Sequence, residues 1–507
     1  MKSGKLIINT LILTISSFLI RVLGLVFKVF ISNKIGAEGV GLFQLIFSVY
    51  FLFVTIATSG ISLGVTRMVS ERIACGNTRG IRRVMRGCVA FSFLVGSLCM
   101  IFMYTGSSLL CNYWIRDERC IEAVKVLAFS LPFMAMSACL KGYFIGVRHV
   151  MKSSAVQVLE QVSRIFVVIF FITLFMPSDI SSALKIVSLG DTLSEMIAFI
   201  ILLSFYFGER KNNNKIKTEK KFSPVSRLLG ICSPILTSSL ARSVLSSYEN
   251  ILIPQGLSKN GLSKEKSLST YGALKGMTMP ILFFPSSVLS AFSTLLVPEI
   301  TYYSAKKQFK TVSEIVQKVI KITLIMSFFI FAVFFCCGNQ LGQLIYKNSD
   351  VSFFLKAIAP LVPLMYLESV VDGMLKALNQ QFYTMKYNLI DSFLRVGLMF
   401  ALVPFIGVYG LITVMYISNF FTSMACLKRL IKVSRIRFSY IKYMVKPLIC
   451  SVCCIFIIKL TEKLIMPVPY IIFTVLFGGI IYFLMLFVTG CMSKGDFDYF
   501  KNIIKNK

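Results

Sequence analysis

Thirteen ionisable side chains lie inside stretches that are otherwise apolar. They are the basic Arg21, Lys28, Lys141, Arg164, Arg242 and Arg395, and the acidic Glu160, Asp191, Glu195, Glu249, Glu368, Asp372 and Asp391. A charge near the centre of a bilayer costs on the order of 3 kcal/mol, so each must find a partner, face water, or reach the interface on its own stem. Spacing sorts them by the chemistry they could do. Glu160/Arg164 and Asp391/Arg395 are opposite charges four residues apart, on one helix face. Such pairs neutralise themselves, which suits holding helices together more than contacting substrate. Asp191/Glu195 and Glu368/Asp372 are like charges at the same spacing. Two carboxylates on one face repel unless a cation or shared proton lies between them. They are candidate sodium or proton coupling sites, the alternative being neutralisation by the basic residues. Arg21 and Arg242 have no acid three or four positions away. Two such guanidiniums would suit a pyrophosphate, because arginine offers phosphate oxygens a bidentate fork. The other reading pairs them with carboxylates of neighbouring helices. Lys28 and Lys141 lie nearer the ends of their spans, where they could snorkel.

The elements that carry these charges are long apolar helices. Of 507 residues, 56% are hydrophobic and 15% charged, outside the usual soluble range. Runs of about 20 apolar residues give roughly fourteen spans, from 6–31 to 469–491. The first has no small-residue cleavage site and reads as a retained helix. The second half repeats the first at an offset of 231: Lys125/Lys356, Ala128/Ala359, Pro132/Pro363, Met134/Met365, Gly142/Gly373, Glu160/Asp391, Arg164/Arg395 and Gly41/Gly272. Near the start the offset falls to 221, pairing Arg21 with Arg242, so the second half carries a ten-residue insertion between 254 and 270. The expected fold is an all-α polytopic membrane protein of two pseudo-symmetric six-helix lobes. Lobe 1–208 holds helices one to six, 209–223 is a cytoplasmic linker, lobe 224–430 holds helices seven to twelve, and 431–507 adds two helices and a tail. Six helices per lobe make the repeat parallel, the pattern of a secondary transporter. The tail (Phe497, Tyr499, Phe500, Ile503, Ile504) is predicted to form a surface-lying amphipathic helix. Pro132, Pro280, Pro285, Pro360 and Pro363 interrupt spans, as hinges or as shapers of packing. Under the repeat, Lys141 and Asp372 are opposite charges at matching positions near the inner helix ends. They are candidates for an inner gate.

The net charge of +32 does not point to nucleic acid. The basic residues cluster at Arg67 to Arg86, Arg210 to Arg227 and Lys428 to Lys446, all on one side of the predicted topology. That is the positive-inside bias, placing both termini in the cytoplasm and the chain in the cell membrane, with the clusters facing anionic lipid. Most of the fourteen cysteines fall in apolar spans and read as small hydrophobes. A single histidine, His149, excludes a multi-histidine metal site, and no metal or other cofactor is expected apart from a coupling ion. The loops lack the acidic or histidine-rich clusters that a membrane-surface enzyme needs. A cation-coupled multidrug exporter, the sodium- or proton-driven alternative, would place carboxylates in the first two helices, which contain none.

Arg21-Val22-Leu23-Gly24, followed by Ile35-Gly36-Ala37-Glu38-Gly39-Val40-Gly41-Leu42-Phe43, resembles the opening of the polysaccharide exporters of the multidrug/oligosaccharidyl-lipid/polysaccharide superfamily. The resemblance covers nearly the whole chain and includes relatives that flip lipid II and O-antigen precursors. It implies alternating access and an undecaprenyl-pyrophosphate-linked sugar as cargo, a peptidoglycan or other polysaccharide precursor used in spore cortex formation; whether the protein works alone or beside a glycan polymerase stays open. It places Arg21 on the pyrophosphate, with Arg242 as its second-lobe counterpart. A second arginine of the lipid II flippases falls on Phe27, with Lys28 adjacent.

Overall fold

The computed structural model describes residues 3–75, 78–177, 179–210, 224–436, 438–461 and 467–491. The linker from 211 and the amphipathic helix expected after Cys491 lie outside the described residues. Every described regular element is a helix, as hydrocarbon demands of a chain whose backbone groups must be paired within each segment. In order they are α1 (Ser3–Thr58), α2 (Ile61–Ala74), α3 (Thr78–Thr105), α4 (Ser107–Leu109), α5 (Ile121–Ala128), α6 (Ser130–Gly146), α7 (Val150–Phe175), α8 (Ile180–Arg210), α9 (Pro224–Lys259) and α10 (Lys264–Tyr271). There follow α11 (Met279–Phe283), α12 (Ser286–Ala305), α13 (Phe309–Tyr346), α14 (Ser349–Ile358), α15 (Val362–Ala377), α16 (Gln381–Ser434), α17 (Lys446–Thr461) and α18 (Pro467–Val488). Among the described residues ten helical stretches are long and apolar enough to cross a membrane, or eleven when the bent pair α5–α6 counts as one. Two of these are each two helices in succession. α1 breaks at Gly36 (φ 70°) and α16 at Gly407 (φ 54°). The protein is an all-α polytopic membrane protein.

The chain divides into two compact units, Met1–Gly272 and Ala273–Lys507. The 231-residue repeat is written into both at the level of backbone and contact. Positive φ angles recur at Arg116 (63°) and Lys347 (49°), Arg148 (66°) and Asn379 (57°), and Met176 (39°) and Gly407 (54°). Few residues other than glycine adopt a positive φ, so the recurrence marks breaks at matching places in each unit; Arg116 and Lys347 share the same left-handed helix end, while Met176 and Gly407 share the sign of φ but not ψ (61° and −128°). In the first unit Gly142 lies so near α2 that a Cβ would come within 2.6 Å of the Ser62 carbonyl; in the second, a Cβ on Gly373 would meet Ser293 Oγ at 3.4 Å. Ser70 donates to the Gly146 carbonyl at 3.3 Å, and Thr301 to that of Ala377 at 3.2 Å. All of these pairs are 231 apart.

The prolines mark junctions. α5 and α6 meet at a 42° bend, with Pro132 in the first turn of α6 and Pro363 in the first turn of α15. Pro360 lies in the short 3-10 turn before α15, Pro280 opens α11, and Pro285 separates α11 from α12. A first-turn proline lacks only an N–H that has no intrahelical partner anyway. One core of the first unit joins Val65 and Met68 of α2, Met85 of α3, Leu140 and Phe144 of α6, Leu202 of α8 and Leu228 of α9. Outward faces are as apolar as the core: Phe102, Phe166 and Phe405 are 67%, 69% and 79% exposed, as residues facing acyl chains should be. All fourteen cysteines are free, and all but Cys75 and Cys453 are buried.

A close backbone approach in the first unit joins α1 to the end of α10. A Cβ on Gly41 would stand 2.2 Å from the Leu268 carbonyl, and one on Gly272 would stand 2.0 Å from that of Ala37. These two glycines are themselves repeat partners. Gly41→Ala and Gly272→Ala should each cost about 1–3 kcal/mol of stability, the range for overpacking. Gly230→Ala, with no atom within 4 Å of its Cβ, should be neutral or stabilise by up to ~1 kcal/mol. Thermal unfolding of the detergent-solubilised chain reads the difference; equal melting temperatures for all three variants would contradict it.

Candidate functional site

Three helices of the first unit bring five charges together. Lys141 comes from α6, Glu160 and Arg164 from one face of α7, and Asp191 and Glu195 from one face of α8. Glu160 bridges two cations, with Lys141 Nζ at 3.2 Å and Arg164 at 3.6 Å. Arg164 Nε reaches Asp191 at 2.6 Å, and its terminal nitrogen reaches Glu195 at 3.8 Å. The arginine therefore sits against both members of the like-charged pair. Asp191 and Glu195 are buried. Two cations face three carboxylates, a formal excess of one negative charge.

The second unit builds the matching region differently. Arg395 Nε pairs with Asp391 at 3.0 Å, and Ser418 donates to the same carboxylate at 2.6 Å. Glu368 accepts from Thr422 at 2.9 Å, and Asp372 pairs with Lys376 at 2.5 Å. Under the repeat, Asp191 corresponds to Thr422 and Ser137 to Glu368. Carboxylate and hydroxyl have changed helices between the units.

Arg21, Lys28 and Arg242 stand apart. All three are exposed, and none has an ion pair or hydrogen bond among the described residues. Arg242 lies on α9 beside Ser243, whose hydroxyl shares a 2.7 Å hydrogen bond with Thr55 of α1. Phe27 is buried at 7% exposure. Lys28 next to it points about 100° further round the helix and carries the exposed charge. Glu249, the remaining intramembrane acid of α9, is buried.

The chain belongs to the polysaccharide biosynthesis protein family, whose profile matches residues 6–304. A second profile, MatE, matches 258–403. Stage V sporulation protein B of Bacillus subtilis (strain 168) is 27% identical over 415 residues, 79% of each chain. Among solved structures, the lipid II flippase MurJ in an inward closed conformation aligns with a TM-score of 0.74 at 15% identity, over 94% of this chain and 98% of that one. An inward-facing MATE multidrug transporter aligns with a TM-score of 0.67 at 14% identity, over 85% of this chain and 99% of that one. The protein is thus a multi-pass membrane transporter of the multidrug/oligosaccharidyl-lipid/polysaccharide flippase superfamily, and not an enzyme.

One charged cluster escapes sequence reasoning because its members are far apart in the chain and lie at helix ends. Asp117 caps a short 3-10 turn by accepting from Arg119 N at 3.1 Å, and it also takes the Arg119 guanidinium at 2.9 Å and Lys264 Nζ at 3.3 Å. Arg119 reaches on to Glu38 at 2.8 Å. Glu38 of the Gly-Ala-Glu-Gly turn is thereby tied to the loop before α5 and to α10. Burial raises the Asp117 carboxyl, but the hydrogen bonds from Arg119 and the charges of Arg119 and Lys264 outweigh it and hold it below its ordinary value. A depressed carboxylate stabilises the fold above its unfolded pKa, near ~3.9, and loses that contribution as pH falls through the lower folded value. Asp117→Asn should therefore destabilise by about 1–2 kcal/mol at pH 7, with the gap to the native chain closing below about pH 3.9. Melting curves at pH 7, 5 and 3 test this; a gap independent of pH would mean that the charge plays no part.

Proposed function

We propose that this chain flips an undecaprenyl-pyrophosphate-linked cell-wall precursor from the inner to the outer leaflet by alternating access, in spore cortex formation. Arg21, Lys28 and Arg242 are the proposed contacts to the pyrophosphate. The observation that carries this reading is their lack of counter-charge. Arg164 and Arg395 are neutralised within their own units, whereas Arg21, Lys28 and Arg242 have no described carboxylate to answer them. Cations left without a partner in a membrane segment are expected to serve an anion that comes and goes. A relative matched over 415 residues is a sporulation protein, and a solved structure aligned over 94% of this chain is a lipid II flippase. Both support the assignment. The basic clusters support cytoplasmic termini. A glycan polymerase on the opposite face would consume the product.

The five-charge cluster of α6, α7 and α8 favours a second component. Its excess negative charge needs a proton or a sodium ion, so we assign ion coupling to Asp191 and Glu195. Glu368 and Asp372 are secondary candidates, because a hydroxyl and a lysine already serve them. The same cluster is the feature a cation-driven multidrug exporter would use, so cargo and coupling require separate tests. Lys141 and Asp372 are proposed to approach at the inner side during the cycle.

Flipping of a fluorescent undecaprenyl-pyrophosphate disaccharide-pentapeptide in proteoliposomes tests the cargo. Arg21→Ala and Arg242→Ala should each slow it by about 10–100-fold, the loss of one charged hydrogen-bonding group worth ~1.5–3 kcal/mol. No flipping by the folded native chain would exclude this cargo, and undiminished flipping by both variants would remove the anion site while leaving the cargo. Imposed pH or sodium gradients test the coupling: the native rate should follow one of them, and Asp191→Asn should abolish that response. A response that survives in Asp191→Asn would sink the assignment.

A further inference from the structure

The second unit holds a cavity of ≈ 630 Å³ between α13 and α14, lined by Phe335, Asn339, Gln343, Ser352, Phe353 and Lys356 among others. Its volume falls in the ~300–1,000 Å³ range of ligand sites. It lies where α13 ends and α14 begins.

The repeat explains what this cavity is for. Lys356 corresponds to Lys125 of the first unit. There, Lys125 pairs with Glu122 at 3.1 Å, and Lys185 pairs with the same carboxylate at 3.4 Å. Shifted by 231, Glu122 becomes Phe353 and Lys185 becomes Tyr416. Tyr416 turns its hydroxyl to the Ala357 carbonyl at 2.8 Å. The three-charge cluster has thus lost its carboxylate and one of its cations, and Lys356 is left with no ion pair among the described residues. Phe353, 41% exposed, supplies apolar wall where the acid stood.

Backbone geometry holds the remaining lysine in place. Gly338 and Gly342 of α13 form a Gly-x-x-x-Gly seam that admits α14 closely. A Cβ on Gly342 would come within 2.3 Å of Ser352 Oγ, and one on Gly338 within 2.8 Å of Lys356 Cγ. The stem of Lys356 therefore lies across Gly338. In the first unit these positions are Ser107 and Cys111, neither of them glycine. Outside the lining residues, Lys459 Nζ lies over the Phe335 ring, 5.1 Å from its centre. Aromatic walls, amide and hydroxyl groups and a single unanswered cation make an amphipathic receptacle for one negative charge attached to an apolar chain.

We propose that this cavity binds an anionic phospholipid of the surrounding leaflet, with its phosphodiester on Lys356 and the start of an acyl chain against Phe335 and Phe353. The site is independent of the cargo, because it rests on the second unit alone.

The test places a reporter in the cavity. Phe353→Trp is introduced into a Trp114→Phe background, removing the one native tryptophan, and the full chain is reconstituted with brominated phosphatidylglycerol or brominated phosphatidylcholine. Quenching should give phosphatidylglycerol a relative binding constant at least about 5-fold above phosphatidylcholine. Lys356→Gln should bring that ratio to about 1, and the control Lys125→Gln should leave it unchanged. A native ratio of 1, or a ratio that Lys356→Gln does not alter, would overturn the proposal. Relief of quenching by inorganic phosphate would replace the lipid with a free anion. Displacement by undecaprenyl phosphate at lower concentration than unlabelled phosphatidylglycerol would replace the phospholipid with the carrier lipid. Either result rejects the occupant proposed.

Discussion

Hydrocarbon cannot solvate a charge, and this constraint organises the molecule more than any single contact. Each ionisable group inside a span has to be answered by another group, by water or by a ligand. The backbone obeys the same rule, which is why every described element is a helix. The side chains obey it in two ways. Arg164 gathers Asp191, Glu160 and Glu195 around it; Arg395 takes Asp391. Arg21, Lys28 and Arg242 gather no ion pair among the described residues. Tight neutralisation and its absence exist within one compact unit, so composition does not explain the difference. Arg164 sits where α6, α7 and α8 converge and Arg395 pairs with Asp391 along α16, whereas the unanswered cations occupy exposed faces of α1 and α9.

The architecture was largely legible before any coordinates, for a definite reason. Proline, glycine and charge are rare in apolar helices, so their recurrence at one offset is hard to produce by chance. The same offset returns in the positive φ angles of Arg116 and Lys347, of Arg148 and Asn379, and of Met176 and Gly407. These residues differ in type within each pair, so sequence comparison alone passes over them; a positive φ recurs where the side chain does not. Pairing across helices was less legible. An i,i+4 rule sees Glu160 with Arg164, but not Arg164 against Asp191, because that contact depends on how α7 meets α8. The cluster of Glu38, Asp117, Arg119 and Lys264 was illegible for the same reason, its members being drawn from three separate helix junctions.

Duplication gives each unit a control for the other. Where both copies keep a feature, such as the hydrogen bonds of Ser70 and Thr301 to the helix opposite, the feature belongs to the common scaffold. Where the copies differ, the scaffold did not require it. Asp191 against Thr422, and Ser137 against Glu368, move a carboxylate from one helix to another while keeping a hydroxyl in the vacated place. The volume and hydrogen-bonding capacity of the region are roughly conserved; the position of negative charge is not. Charge placement in the interior is thus free to specialise without disturbing the packing that carries it.

The same comparison separates a structural lysine from one that is open to a ligand. Lys125 and Lys356 descend from one position and sit on equivalent helices. One is held by Glu122, and the other lines a cavity beside Phe353 on the same helix. Replacing glutamate with phenylalanine both frees the cation and lines the space before it with apolar surface. Neither effect alone would make a lipid site: a free cation without a wall would be solvated, and a wall without a cation would not select among lipids. The glycine seam at Gly338 and Gly342 is what lets one helix pair deliver both, because it brings α14 close enough for the lysine stem to rest on α13.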